Sequence, residues 1–134
     1  MSGVVRLSED WCLHIVAPGV DIEAPGLYEW RIAYDLGRNY IGQAERFGRR
    51  KNNYRDNVED LLAGKPYHIR NRDYRPIHYA LAWAVRAGER ISLTILENAP
   101  LGHQLNAREA TLIAERGTLN RSRGRAWLAR QCAR

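Results

Sequence analysis

The sequence predicts an α+β domain, a small antiparallel three-stranded sheet flanked by helices in the order β-β-α-α-β-α. Three observations carry this. Two short aromatic-rich segments alternate around a glycine-bearing turn. Three longer segments carry apolar residues at helical spacing and stop at Gly or Pro. A β-rich run lies between the second and third of them. The chain has 134 residues, 45% of them hydrophobic and 27% charged, which suits one globular domain and argues against wholesale disorder.

In Leu27 to Tyr34, the side chains Tyr28, Trp30, Ile32 and Tyr34 alternate with other residues, as in a strand. Asp35-Leu36-Gly37-Arg38 reads as the turn and Asn39-Tyr40-Ile41-Gly42 as the returning strand, making a hairpin. A helix follows from about Glu45 to Ala63, where Phe47, Tyr54, Val58, Leu61 and Leu62 share one stripe before Gly64 and Pro66. Residues 64–75 have neither period and read as a basic, aromatic-bearing loop. A second helix is predicted from Pro76, placed well for a first turn, to Gly88. Ile91 to Leu96 reads as a strand, and a third helix runs from about Gly102 to Glu115, ahead of Gly117. Upstream, the apolar run Trp11 to Ala17 is a candidate edge strand within an acidic leader, and Arg125 to Cys132 is a candidate short helix.

The charge is uneven. Lys and Arg number 21 against 15 acids, and Lys51 and Lys65 are the two lysines. Residues 1–45 hold three cations and seven anions; residues 46–75 hold nine and four; residues 121–134 hold five arginines and no acid. Two basic blocks of this kind fit a polyanionic partner, and arginine's planar fork suits phosphate. The apolar runs are far shorter than the roughly 20 residues that span a bilayer. No basic-then-apolar leader follows Met1, so a cytoplasmic location is the expectation. Cys12 and Cys132 form no metal-finger spacing and are expected to be free thiols. The four histidines form no HxxxH or HExxH pair.

Some residues sit against local structural logic. Glu109 lies four residues after Leu105 and four before Ile113, at the centre of the third helix's apolar stripe. A carboxylate there needs a partner, a metal or a wet rim, and periodicity leaves these alternatives open. Arg50 and Lys51 border the first helix's stripe from its two sides, and periodicity does not choose between them. Tyr28 and Tyr40 are good strand residues, for which packing is the ordinary role.

Taken together and in order, these residues resemble the GIY-YIG nuclease family. Gly26-Leu27-Tyr28 is similar to its first motif, with Leu for Ile, and Tyr40-Ile41-Gly42 matches the second. Arg50 follows Gly42 by eight residues, where the family has its helix arginine. Ile95-Leu96-Glu97 and Ala107-Arg108-Glu109 resemble the third strand and the metal-binding helix, and Leu119-Asn120-Arg121 the closing Asn motif. Tyr54 departs from the pattern, because that position is often His. The resemblance covers residues 26–121 and leaves 1–25 as an N-terminal extension and 122–134 as a basic tail.

The resemblance implies a metal-dependent DNA endonuclease with Tyr28, Tyr40, Arg50, Glu109 and Asn120 in its catalytic set. Glu109 would hold one Mg²⁺ or Mn²⁺, and Arg50 would stabilise the pentacovalent transition state. Tyr28 or Tyr40, with preference for Tyr28, would take the proton of the attacking water, so activity is expected to rise between about pH 7 and 9. Arg46, Arg49, Arg70, Arg72, Arg75, Arg121 and Arg123, with Arg125, would grip the phosphate backbone without reading sequence. Tyr67, His68 and Tyr74 would stack on unpaired bases, favouring single-stranded or structured DNA over plain duplex. Neither a membrane nor a small-molecule cofactor enters this expectation. The competing readings are a non-catalytic nucleic-acid-binding module on the same fold, a toxin or mobile-element nuclease acting on DNA or RNA through a targeting partner, and a small structural protein with a basic tail.

Overall fold

A computed structural model describes residues 5–32, 39–98, 102–116 and 118–120. The chain order is β1 (Leu13–Val16), β2 (Gly26–Ile32), β3 (Asn39–Ala44), α1 (Phe47–Leu62), α2 (Pro76–Ala87), β4 (Ile91–Asn98), α3 (Gly102–Arg116) and a 3₁₀ turn (Thr118–Asn120). The α+β class holds, but the sheet does not have three antiparallel strands. It has four, in the order β1-β4-β2-β3, and it is mixed. β2 pairs antiparallel with β3 on one side and β4 on the other, while β1 pairs parallel with β4, Leu13 opposite Ser92 through Val16 opposite Ile95. The added strand satisfies the second side of β4, and Ala17 N–H extends the pairing onto the Ile95 carbonyl at 3.0 Å.

Alternation sends the side chains of β2 to two separate cores. Tyr28, Trp30 and Ile32 pack with Tyr54 and Val58 of α1 and with Ile77 and Leu81 of α2. Leu27 and Ile41 pack with Leu105 and Leu112 of α3. The sheet is therefore covered on both faces. A bulge where β4 passes Leu27 and Tyr28 lets two consecutive β4 residues meet α3. Leu96 joins the apolar cluster and Glu97 pairs with Arg108 at 2.7 Å.

The helix boundaries follow ordinary chemistry. Arg75 is extended (φ −74, ψ 157), as the residue before a proline must be, and Pro76 opens α2. Gly88 closes it at φ 70, a left-handed conformation that favours glycine. Residues 64–75 form neither helix nor strand, yet they are pinned. Tyr74 is buried and its hydroxyl donates to the Lys65 carbonyl at 2.8 Å. Residues before β2 also join the first core, with Cys12 a buried free thiol and Leu7, Trp11 and Val20 packed beside it. The expected hairpin turn at 35–38 and the helix at 125–132 lie outside the described residues. Among those described, no helix is long and apolar enough to cross a membrane.

β3 is an edge strand, and after α3 the chain passes around that edge. Leu119 of the 3₁₀ turn packs into the first core, whereas Leu112 of α3 packs into the second. This crossing is what brings residues from the two faces of the sheet near one another.

Candidate active site

The two glycines of the hairpin motifs are explained by space. A Cβ at Gly42 would overlap the Tyr28 ring, with Cε1 at 2.8 Å and the phenolic oxygen closer still. One at Gly26 would run into the Glu97 carbonyl oxygen and the Phe47 ring, at 2.8 Å from Cζ. Tyr28 can therefore lie across β3 only because its cross-strand partner lacks a side chain. Phe47 and Tyr54 hold the ring edge-on, at centroid distances of 6.4 and 5.8 Å. Its hydroxyl shares a 2.7 Å hydrogen bond with that of Tyr54. Tyr54 thus fills the place where the resemblance expects a histidine.

Tyr28 is 3% exposed. Burial pushes its phenol well above the ordinary value, against the opposing pull of the Tyr54 hydrogen bond and of Arg50 and Arg75. Burial does the same to Tyr54, with the Tyr28 and Tyr40 hydroxyls adding to it. Both phenols therefore keep their protons at neutral pH. Tyr40 is only half-buried, and the Arg75 guanidinium donates to its oxygen. Burial works against the charge on Arg75, but Tyr40, Tyr54 and Tyr28 outweigh it, so the group stays a cation.

The backbone of Arg75 is fixed by His78. The Arg75 N–H donates to His78 Nδ1 at 3.1 Å, the return half of a capping box. Burial, then the charges of Arg75 and His68, lower His78 to about 4. The imidazole is neutral at pH 7 and, with Nδ1 accepting, carries its proton on Nε2. Arg50 projects from the first turn of α1 and is half-buried. It is close enough to Tyr28 for its charge to bear on that phenol.

Glu109 approaches from α3. It is half-buried, and Gln43 Nε2 donates to its Oε1 at 3.3 Å and to Asn106 Oδ1 at 2.8 Å. Burial raises its carboxyl, opposed by the Gln43 hydrogen bond and the Arg75 charge. The other acids on this face have cationic partners. Glu29, 3% exposed, accepts from Arg116 at 3.3 Å and from Asn39 at 3.2 Å, and Glu97 has Arg108. The described partner of Glu109 is an amide, which leaves its charge uncompensated by any direct ion pair among the described residues. Asn120 sits on the β3 edge, where Ile41 N–H donates to its Oδ1 and its Nδ2 donates to Ile41 O, both at 2.9 Å. It touches backbone and acts as a positioning residue.

Tyr28, Tyr40, Arg50 and Arg75 thus gather on one side of β3, with Glu109 beyond its edge under the same Arg75 charge. Arg46 and Arg49 continue from Arg50 along a groove that Gln43 and Asn106 also border. Arg70 and Arg72 stay on the exposed 64–75 loop, away from that groove. Arg121 and Arg123 lie outside the described residues. Among the described residues no three His, Cys, Asp or Glu side chains cluster as metal ligands. A half-buried carboxylate without a cation is nonetheless a donor of the kind Mg²⁺ uses, since that ion keeps most of its waters and needs one or two protein carboxylates.

Sequence reasoning did not single out Gln43 or His78, and it assigned Arg75 to the backbone grip. The available signals were period-two alternation, which turns Gln43 toward the α3 face with Ile41, and the Arg-Pro junction, which freezes Arg75. Compared with protein-family models, with curated proteins and with solved structures, the chain finds no match.

Proposed function

We propose that the protein is a metal-dependent endonuclease that hydrolyses phosphodiester bonds in DNA, on a site of the kind its motifs resemble. The observation that supports this best is the convergence at the β3 edge of an accessible phenol, two guanidiniums and a half-buried carboxylate with no ion-pair partner among the described residues. A phosphodiester in transit to its pentacovalent form gains negative charge, and Arg50 and Arg75 supply fixed positive charge beside it. Glu109 would hold the divalent ion, which when bound would neutralise the scissile phosphate. Tyr40, reached by both solvent and Arg75, is placed to accept the proton of the attacking water. Tyr28, buried and protonated, shapes the site through its bond to Tyr54.

The test is direct. Purified protein is incubated with single-stranded, duplex and branched DNA and with RNA, in Mg²⁺ or in EDTA. Cleavage is expected in Mg²⁺ alone and should be lost in Glu109→Ala, which must melt like the wild type. Binding without cleavage under every condition would favour the non-catalytic module instead.

A further inference from the structure

A cavity of about 420 Å³ opens between α1, the 64–75 segment and the start of α2, a size common for small-ligand sites. Arg50, Arg75 and Tyr54 of the candidate site line it, so it adjoins the proposed chemistry. Arg50 and Asn53 border both this cavity and the groove of Arg46 and Arg49. A nucleotide whose phosphate rests on Arg50 therefore has its sugar and base within reach of the cavity.

The lining says what would enter. Asn57 is 9% exposed, borders the cavity, and its side-chain amide has no hydrogen-bond partner among the described residues. Its amide atoms open onto the cavity rather than being sealed in the core, so they are free to bond a ligand there. Tyr67 offers an aromatic wall and is held in place by His68 and Tyr74, at centroid distances of 4.5 and 5.2 Å. Asp56 and Asp60 line the same cavity as Arg50 and Arg75, two acids against two cations, so its charge is balanced and does not call for a second phosphate. A flat heterocycle with donors and acceptors along its edge satisfies all three features: it stacks on Tyr67, pairs with Asn57 and tolerates the carboxylates.

We propose that this cavity receives one unpaired nucleobase next to the phosphate held at Arg50. This deepens the nuclease reading and rests on it for the position of that phosphate. The substrate is then a strand carrying an unstacked nucleotide at the cut, and a fully paired duplex must first flip one out.

The experiment scans an abasic nucleotide through every position of a single-stranded oligonucleotide and measures binding to the full chain in EDTA, with cleavage of the same strands followed in Mg²⁺. One position is expected to lose about tenfold in affinity. That penalty should vanish in Tyr67→Ala and in Asn57→Leu and persist in Tyr67→Phe, each variant first shown to melt cooperatively. Equal binding at all positions overturns the cavity's role, while cleavage in Mg²⁺ would still uphold the nuclease. A positional penalty unchanged in both Tyr67→Ala and Asn57→Leu also overturns it, because the base then sits elsewhere. A penalty that obeys the variants without any cleavage in Mg²⁺ upholds the cavity and sinks the nuclease.

Discussion

At the scale of single residues, the two tyrosines of the hairpin are chemically unlike, although their motifs treat them as a pair. Tyr28 lies under the core with its hydroxyl on Tyr54, and burial keeps it protonated. Tyr40 stands at the rim under Arg75. Tyr40→Phe should therefore slow cleavage about 100-fold or more, whereas Tyr28→Phe should keep most of the rate and lose about 1 kcal/mol of stability with its hydrogen bond. Cleavage rates and urea unfolding of the three proteins check this. Strand alternation already placed Tyr28 and Tyr40 in the hairpin, but exposure depends on what the helices bring over the sheet. The preference for Tyr28 as the proton acceptor could not see Tyr54 closing above it. Gly42 was visible as a motif letter, and only the cross-strand register shows that it makes room for a ring.

Among the elements, α2 has its N-terminus built around a neutral histidine. His78 accepts from the Arg75 backbone and titrates near 4 in the fold against 6.5 ordinarily. Between those values the unfolded chain binds a proton that the folded chain refuses, so the contribution is intact above pH 6.5 and is lost as pH falls toward 4. Relative to His78→Gln, which keeps an acceptor at that position but does not titrate, the wild type should lose about 3 kcal/mol between pH 7 and 4. Urea unfolding at both pH values measures it. The start and end of α2 were legible because Pro76 and Gly88 act locally. β1 as a parallel partner of β4 was not, since its four side chains are all exposed and its pairing joins segments some eighty residues apart. The candidate strand was readable from its apolar run, but its neighbour was not.

For the whole molecule, charge and topology converge at one edge of the sheet. The acidic leader, the basic first helix and the balanced third helix seemed successive blocks in the sequence. In the fold, the basic helix start borders the groove that runs to Glu109's neighbours Gln43 and Asn106. If Arg46, Arg49 and Arg50 each rest on a phosphate of a single strand, each contributes about 0.7 to the slope of log affinity against log salt. Arg49→Ala should flatten that slope by about this amount and weaken binding evenly across sequences, as a titration in rising salt will show. Loss of sequence preference instead would mean that Arg49 contacts a base edge. The motif residues were readable one by one because their spacing survives in the chain. Their assembly around an edge strand was not, because it depends on the crossing that follows α3.

That crossing has one more consequence. The outward-facing N–H and C=O of Ile41 would otherwise be an open invitation to another chain's strand, the usual hazard of an unpaired edge. The Asn120 amide occupies both at once. A side chain that the resemblance marks for the site thus also serves as a plug, and the same residue that aligns the candidate site's edge strand keeps neighbouring molecules from docking onto it as a further strand.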